Sequence, residues 1–329
     1  MSAHPTRRAI LFAGVVTTLR HRAGWAQESG RTYRLGILSS AETNNRQVPG
    51  WVVFFDEMGK AGFVEGRNLI VDWRFLGSPE QTARAATELV QLAPDVLLPA
   101  GSTPAITAAQ AATRTIPLVA TADDMVGSGL VQSLAHPGGN LTGISFMATE
   151  LDGKRLEILM ELVPASRHMA ALADPTVTGQ SQLEALRSGA ASRGVELSIY
   201  PARGAEEIAS AVNAAQAGGA TALNVLASPD LNTNRKIILD RTAALRLPAM
   251  YQWPETAEEG GLAAYGPRLA TMNRMRTRQV VKVLRGAKPA DIPVEQPDKF
   301  ELVINLRTAK AIGLEVPGAL LDRADQVIE

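Results

Sequence analysis

Residues 96–120 read VLLPAGSTPAITAAQAATRTIPLVA. An apolar run stops at the small polar turn Gly101-Ser102-Thr103, a helical stretch opens behind Pro104, and a second apolar run follows at 116–121. Proline suits the first helical position, where an N–H would have no intrahelical use. Two strands separated by one helix must pair in parallel, because a return in the same direction needs a crossover. Both runs are almost continuously apolar, as expected of strands covered on both faces of a sheet.

Outward from this unit the same rhythm repeats. Strands are expected at 33–40 (YRLGILSS), 68–75 (NLIVDWRF) and 140–146 (NLTGISF), with helices at 48–63 and 79–93. Pro79 stands at the start of the second helix, whose apolar residues share one face. The pattern then restarts. An amphipathic helix at 150–164 leads to an opening strand at 168–175 (HMAALADP), followed by strands at 195–202, 220–228 and 247–252 alternating with helices at 181–194, 205–219 and 235–246. GGLAAYGP (260–267) offers a short strand, 268–286 a long helix ending at Gly286, and AKPADIPVEQPDK (287–299) an extended connector with three prolines. FELVINLRTAKAIGL (300–314) reads as a last strand running into a short helix. The expected fold is α/β: two Rossmann-like lobes with parallel central sheets, the switch falling near 146–150.

Composition narrows the function. The chain has 329 residues, 46% hydrophobic and 20% charged, enough for two domains with ordinary cores and surfaces. The start, TRRAILFAGVVTTL (6–19), has a basic pair before an apolar run of about eleven residues and reads as an export signal with cleavage after Ala26. Arg7-Arg8 also fits a twin-arginine route. Removing Arg7, Arg8, Arg20 and Arg22 leaves 29 basic against 33 acidic residues, a net of −4. A mildly acidic body with no cluster of Lys and Arg argues against nucleic acid as partner. There is no cysteine. Disulfides, thiol nucleophiles, cysteine-ligated metals and a lipidated cysteine at the cleavage site are thereby excluded, and the exported product is expected free in the periplasm.

Enzymatic hardware is sparse. Past the signal the histidines are His136, in a turn, and His168, at a strand start; neither has a GxSxG serine to serve. No GxxxxGK[ST] loop occurs, nor a GxGxxG after the first strand. Asp123-Asp124 is the nearest approach to a carboxylate metal site, and a solvated turn or cap accounts for it as well. No catalytic residue, metal or cofactor is expected.

What remains is a set of polar turns at strand ends: 38–44, 100–105, 121–129, 173–181 and 226–235. In open parallel sheets ligands settle beyond the carboxyl ends of strands, against helix N-termini whose unpaired N–H groups favour an anion. Capping alone explains any one such turn. Turns from both halves, facing each other, could instead enclose a ligand. Tyr251, Trp253 and Tyr265 lie near strand ends of the second half, where a flat face could stack on a ring or pack in the core.

Several stretches carry a family likeness: GFVEGRNLIVDWR (62–74), GSTPAITAAQAATRTIPLV (101–119), GLVQSLAHPGGNLTGISF (129–146), KRLEILMELVP (154–164), GGLAAYGP (260–267) and the whole of 287–329. The chain from Tyr33 onward resembles the substrate-binding proteins of ABC-type importers, of the tryptophan/tyrosine type with a type I periplasmic-binding fold. The resemblance implies two lobes joined by three crossings, near 146–150, 262–267 and 287–296. It places the N-terminal lobe at 32–146 plus 265–287 and the C-terminal lobe at 147–264 plus 288–329. It implies a small ligand, an amino acid or related carboxylate, enclosed between the lobes of a monomer and delivered to an inner-membrane permease. A periplasmic sensing module for a membrane receptor or kinase is the alternative. The family's ligand-facing turns fall on Ser39, Ser40, Gly101, Ser102, Thr103 and Asp124 in the first lobe. In the second they fall on Pro175, Thr178, Ser228, Asp230 and Tyr265. Two departures bear on the ligand: Asp174-Pro175 stands where members often have Asn-Pro, and ADDMVG (122–127) where Asp-Pro-Val is usual.

Overall fold

In the computed structural model the described residues are 30–39, 49–99 and 102–329. The expected export signal, Ser40 and Gly101 lie outside them. The first lobe follows the strand–helix rhythm: β1 (Tyr33–Ser39), α1 (Pro49–Lys60), β2 (Leu69–Phe75), α2 (Pro79–Gln91), β3 (Val96–Pro99), α3 (Thr103–Ala112), β4 (Leu118–Ala122) and β5 (Leu141–Ser145). These strands form a parallel sheet in the order β2-β1-β3-β4-β5.

Local chemistry starts the helices where the sequence places them. Ser78 caps α2 in a reciprocal box with Gln81: the Gln81 N–H donates to Ser78 Oγ at 3.3 Å and the Ser78 N–H to Gln81 Oε1 at 2.8 Å. Ser102 caps α3, with Pro104 in its first turn. Alternation along the strands sorts the core. Leu35, Ile37, Val96, Leu98 and Val119 pack with Phe54 and Met58 of α1, while Leu97, Leu118 and Ala120 face Leu89 of α2 and Ile106 of α3. Gly143 lets β5 close on β4: its φ is +146°, and a Cβ there would lie 1.8 Å from the Ala120 carbonyl oxygen.

The second lobe continues with α4 (Ala148–Leu162), β6 (His168–Ala173), α5 (Gln180–Ala191), β7 (Glu196–Pro201), α6 (Gly204–Ala217), β8 (Leu223–Val225), α7 (Pro229–Thr233), α8 (Arg235–Ala244), β9 (Ala249–Tyr251), α9 (Pro254–Glu258) and β10 (Ala263–Gly266). After α10 (Leu269–Leu284) and a 3-10 turn at Pro289–Asp291 come β11 (Glu301–Asn305), α11 (Leu306–Ile312), α12 (Gly318–Leu321) and β12 (Gln326–Ile328). The second sheet runs β12-β11-β10-β9-β8-β6-β7. Its strands pair in parallel except β10 with β11. The chain re-enters this lobe from the far side after its excursion through α10, so β11 arrives reversed.

Two lobe limits differ from the sequence reading. Tyr265 and Gly266 pair with Leu302 and Glu301 in the second sheet, so the second crossing follows Gly266. Residues 288–295, expected in the second lobe, pack on the first: Ile292 joins the α1 side of its core and Val294 the α2–α3 side. Among the described residues no helix is long and apolar enough to cross a membrane.

Candidate functional site

The crossings decide which surfaces meet. All strands of the first sheet are parallel, so Ser39, Pro99, Ala122 and Ser145 share its carboxyl edge. The corresponding edge of the second sheet carries Ala173, Val225, Tyr251 and Gly266. Chain leaves the first edge at Ser145 and enters α4 at Ala148; it leaves the second at Gly266 and enters α10 at Leu269. A helix following a parallel strand starts at the carboxyl edge. Each crossing therefore links one carboxyl edge to a helix start at the other, and the two edges face each other across the hinge.

That hinge has its own apolar centre. Ile144 of β5, Trp253 before α9, and Met272 and Met275 of α10 are buried together, with Phe146 and Leu269 against them. The Phe146 and Trp253 rings meet edge-on at 5.8 Å. The third crossing is pinned by Glu295, whose N–H donates to the Gly143 carbonyl at 2.9 Å while its carbonyl accepts from the Ser145 N–H at 2.9 Å. Beside it, Asp152 and Arg155 form a fully buried ion pair on α4. Gln182 Nε2 donates to Asp152 Oδ2 at 2.5 Å, and Arg155 Nη1 to the Tyr265 carbonyl at 3.0 Å. Burial pushes the Asp152 carboxyl above its ordinary range, with Arg155 and Gln182 pulling it back.

On the first edge Ser39 is buried at the end of β1. Ser102 Oγ accepts from the Ala105 N–H at 3.4 Å, and Thr103, half-buried, opens α3. Asp124 is exposed and closes its own turn: Oδ1 accepts from the N–H groups of Val126 and Gly127 at 3.1 and 2.8 Å. Its neighbour Asp123 has the opposite setting. It is half-buried, and desolvation, with Asp152 and Asp124 adding like charge, pushes its carboxyl up to about 7. Both acids follow β4, which ends at Ala122; Asp123 is held against the first crossing through its carbonyl, while Asp124 opens the next turn. The sequence reading chose Asp124 and passed over Asp123 as a ligand residue.

On the second edge most of the expected residues serve the lobe itself. Ser228 Oγ donates to Asp174 Oδ2 at 2.8 Å and accepts from the N–H groups of Asp230 and Leu231 at 3.0 and 3.2 Å. Asp230 Oδ2 accepts from the Gly204 N–H at 2.8 Å. Asp174 Oδ1 takes the Thr176 N–H and hydroxyl at 2.9 and 2.7 Å, with Arg203 Nε at 3.7 Å. Pro175 is exposed at the head of this turn. Thr178 differs from the others: it is 8% exposed, and its Oγ1 is buried with no hydrogen-bond partner.

The aromatic residues divide. Tyr251 is core: it is 2% exposed, and its hydroxyl lies 2.9 Å from Thr242 Oγ1. Trp253 belongs to the hinge centre. Tyr265 is half-buried, its ring 6.2 Å from that of Phe300. His168 Nε2 lies 2.8 Å from Ser198 Oγ, and the His136 N–H donates to Ser133 Oγ at 3.0 Å. Two polar edges with anion-favouring helix starts and a half-buried carboxylate can grip a small charged molecule reversibly.

Known proteins agree with this arrangement. A family model described as ABC transporter substrate binding protein matches residues 54–328. The Tyrosine-binding protein of Clostridioides difficile (strain R20291) is 27% identical over 266 residues, 80% of this chain and 76% of that protein. Among solved structures, a conserved domain protein from Vibrio cholerae O1 biovar eltor str. N16961 superposes with a TM-score of 0.79 at 26% identity, covering 90% of this chain and 100% of that one. An ABC domain in complex with L-Trp from Streptococcus pneumonia gives 0.76 at 24% identity, with the same coverage of both chains.

Proposed function

The chain belongs to the ABC transporter substrate-binding protein family, and from that membership we propose that it carries a free aromatic amino acid, tyrosine or a close analogue, between its two lobes. A substrate-binding protein performs no bond chemistry; its work is capture and release. Bound ligand contacts both carboxyl edges and so favours the closed arrangement, since only a difference in affinity between open and closed forms can shift their equilibrium. The closed form is then recognised by an inner-membrane permease in the periplasm, and the ligand is passed on.

The observation that carries this reading is the facing of two carboxyl edges across a three-crossing hinge. On these edges Ser39, Ser102, Thr103 and Thr178 offer polar groups at strand ends and helix starts. The tyrosine-binding relative, alike over most of both chains, supports the ligand class. In this reading the α3 start, with its positive dipole end and the Ser102 and Thr103 hydroxyls, holds the ligand carboxylate.

A thermal-shift panel of amino acids, simple carboxylates and sugars tests it. Tyrosine, tryptophan and phenylalanine are expected to raise the melting temperature in a concentration-dependent way, as any ligand selective for the folded state must. A rise with sugars and none with amino acids would overturn the reading.

A further inference from the structure

The hinge side of the first edge holds one negative charge that the chain leaves uncompensated. Asp123 is fixed through its peptide: its carbonyl accepts from the Met147 N–H at 2.9 Å and from Ser145 Oγ at 3.4 Å, which ties it to the first crossing. Its carboxylate, by contrast, has no hydrogen bond and no ion pair among the described residues. Other acids nearby are provided for. Asp124 takes two backbone N–H groups, Asp152 takes Arg155 and Gln182, Asp174 takes Ser228 and Thr176, and Asp230 takes Gly204.

The charged groups around Asp123 make its isolation worse. Asp152, from α4 across the crossing, and Asp124, beside it, both oppose its ionisation. Arg155 is the cation that favours it, and that guanidinium is already engaged by Asp152 and the Tyr265 carbonyl. A half-buried carboxylate with like charges for neighbours is costly to ionise unless a cation joins it. The second lobe has an unused polar atom of its own, Thr178 Oγ1, just before the helix whose Gln182 reaches Asp152.

We propose that Asp123, rather than Asp124, receives the ammonium group of the bound amino acid and so selects amino acids over the corresponding amine-free acids. The inference rests on the proposed function and sharpens it. The ligand's ammonium supplies the missing positive charge, so binding holds Asp123 ionised. A deaminated analogue would leave that carboxylate desolvated and unpaired, which a site built around a charge rejects strongly.

The test is a calorimetric titration of the protein with L-tyrosine and with 3-(4-hydroxyphenyl)propanoate, for wild type and Asp123→Asn, across a range of pH. Wild type is expected to prefer tyrosine, and Asp123→Asn to bind tyrosine about tenfold to hundredfold more weakly while keeping or improving its affinity for the deaminated acid. Tyrosine affinity of wild type is expected to fall as pH drops below about 7, because a proton then competes with the ammonium. The variant is expected to show no such fall. Unchanged discrimination in Asp123→Asn, or a flat wild-type profile, overturns this inference while the proposed function stands. Failure of wild type to bind any aromatic amino acid overturns both.

Discussion

Arg155 Nη1 donates to the carbonyl oxygen of Tyr265 at 3.0 Å, joining the helix of the first crossing to the strand that ends at the second. The same guanidinium is paired with Asp152, and both side chains are fully buried. Two crossings far apart in sequence thus share one polar anchor beneath the facing edges.

Breaking that anchor on one side should be severe. Arg155→Met leaves Asp152 buried with Gln182 as its remaining side-chain donor, and loss of one member of a buried pair costs about 3–5 kcal/mol. Chemical denaturation is the measurement. The double variant Asp152→Asn, Arg155→Met should recover part of the loss, because it removes the stranded charge as well.

Gly266 is needed at the second crossing for room rather than for its backbone angle. A Cβ there would lie 2.1 Å from the Gln252 carbonyl oxygen, a backbone atom that cannot swing aside. Gly266→Ala is expected to lower the melting temperature and weaken ligand binding together, since it displaces β10 from β9 at the hinge. Gly153→Ala, inside α4 with open space around the added methyl, is the control expected to keep ligand binding and to hold or raise the melting temperature.

Asp123 should make the unliganded protein lose stability as pH rises. Its folded pKa, about 7, lies above the ordinary aspartate value, so the folded state binds more protons than the unfolded one. Its contribution is complete below about pH 4, declines between there and about 7, and is then constant. Asp123→Asn should melt higher than wild type above about pH 7, with the gap closing toward about pH 4. Thermal melts of the ligand-free proteins across this window give the answer.

Thr178 and Ser228 should separate ligand contact from scaffolding. Ser228→Ala removes an N-cap and a bond to Asp174, a loss of about 1–2 kcal/mol that shows in the melting temperature. Thr178→Val removes a hydroxyl with no partner in the chain, so stability should hold or rise. A drop in ligand affinity with Thr178→Val, at unchanged stability, is the expected sign that this hydroxyl faces the ligand.

The alternating fold was legible because parallel strands buried on both faces are nearly all apolar, and because Ser78, Ser102 and their prolines announce helix starts. The third crossing was harder: Ile292 and Val294 sit in a proline-rich connector whose sequence looks extended, yet they complete the core of the first lobe. Polar residues at strand ends look alike in sequence whether they cap or bind. Only three-dimensional contacts show Ser228 and Asp230 spent on capping, while Thr178 Oγ1 is left over. Asp123 and Asp124 are adjacent and chemically identical; the first is tied to the crossing at Met147 and the second closes an exposed turn, contacts that sequence does not display. Tyr251 and Trp253, aromatic and near a strand end, turn into the core and the hinge because Thr242 and Phe146 meet them there.

Small-angle X-ray scattering of the protein with and without saturating L-tyrosine, at matched concentration, tests the central claim most directly. Two facing edges drawn together by a shared ligand predict a smaller radius of gyration in the presence of tyrosine. A radius of gyration that does not change while tyrosine is bound would contradict it.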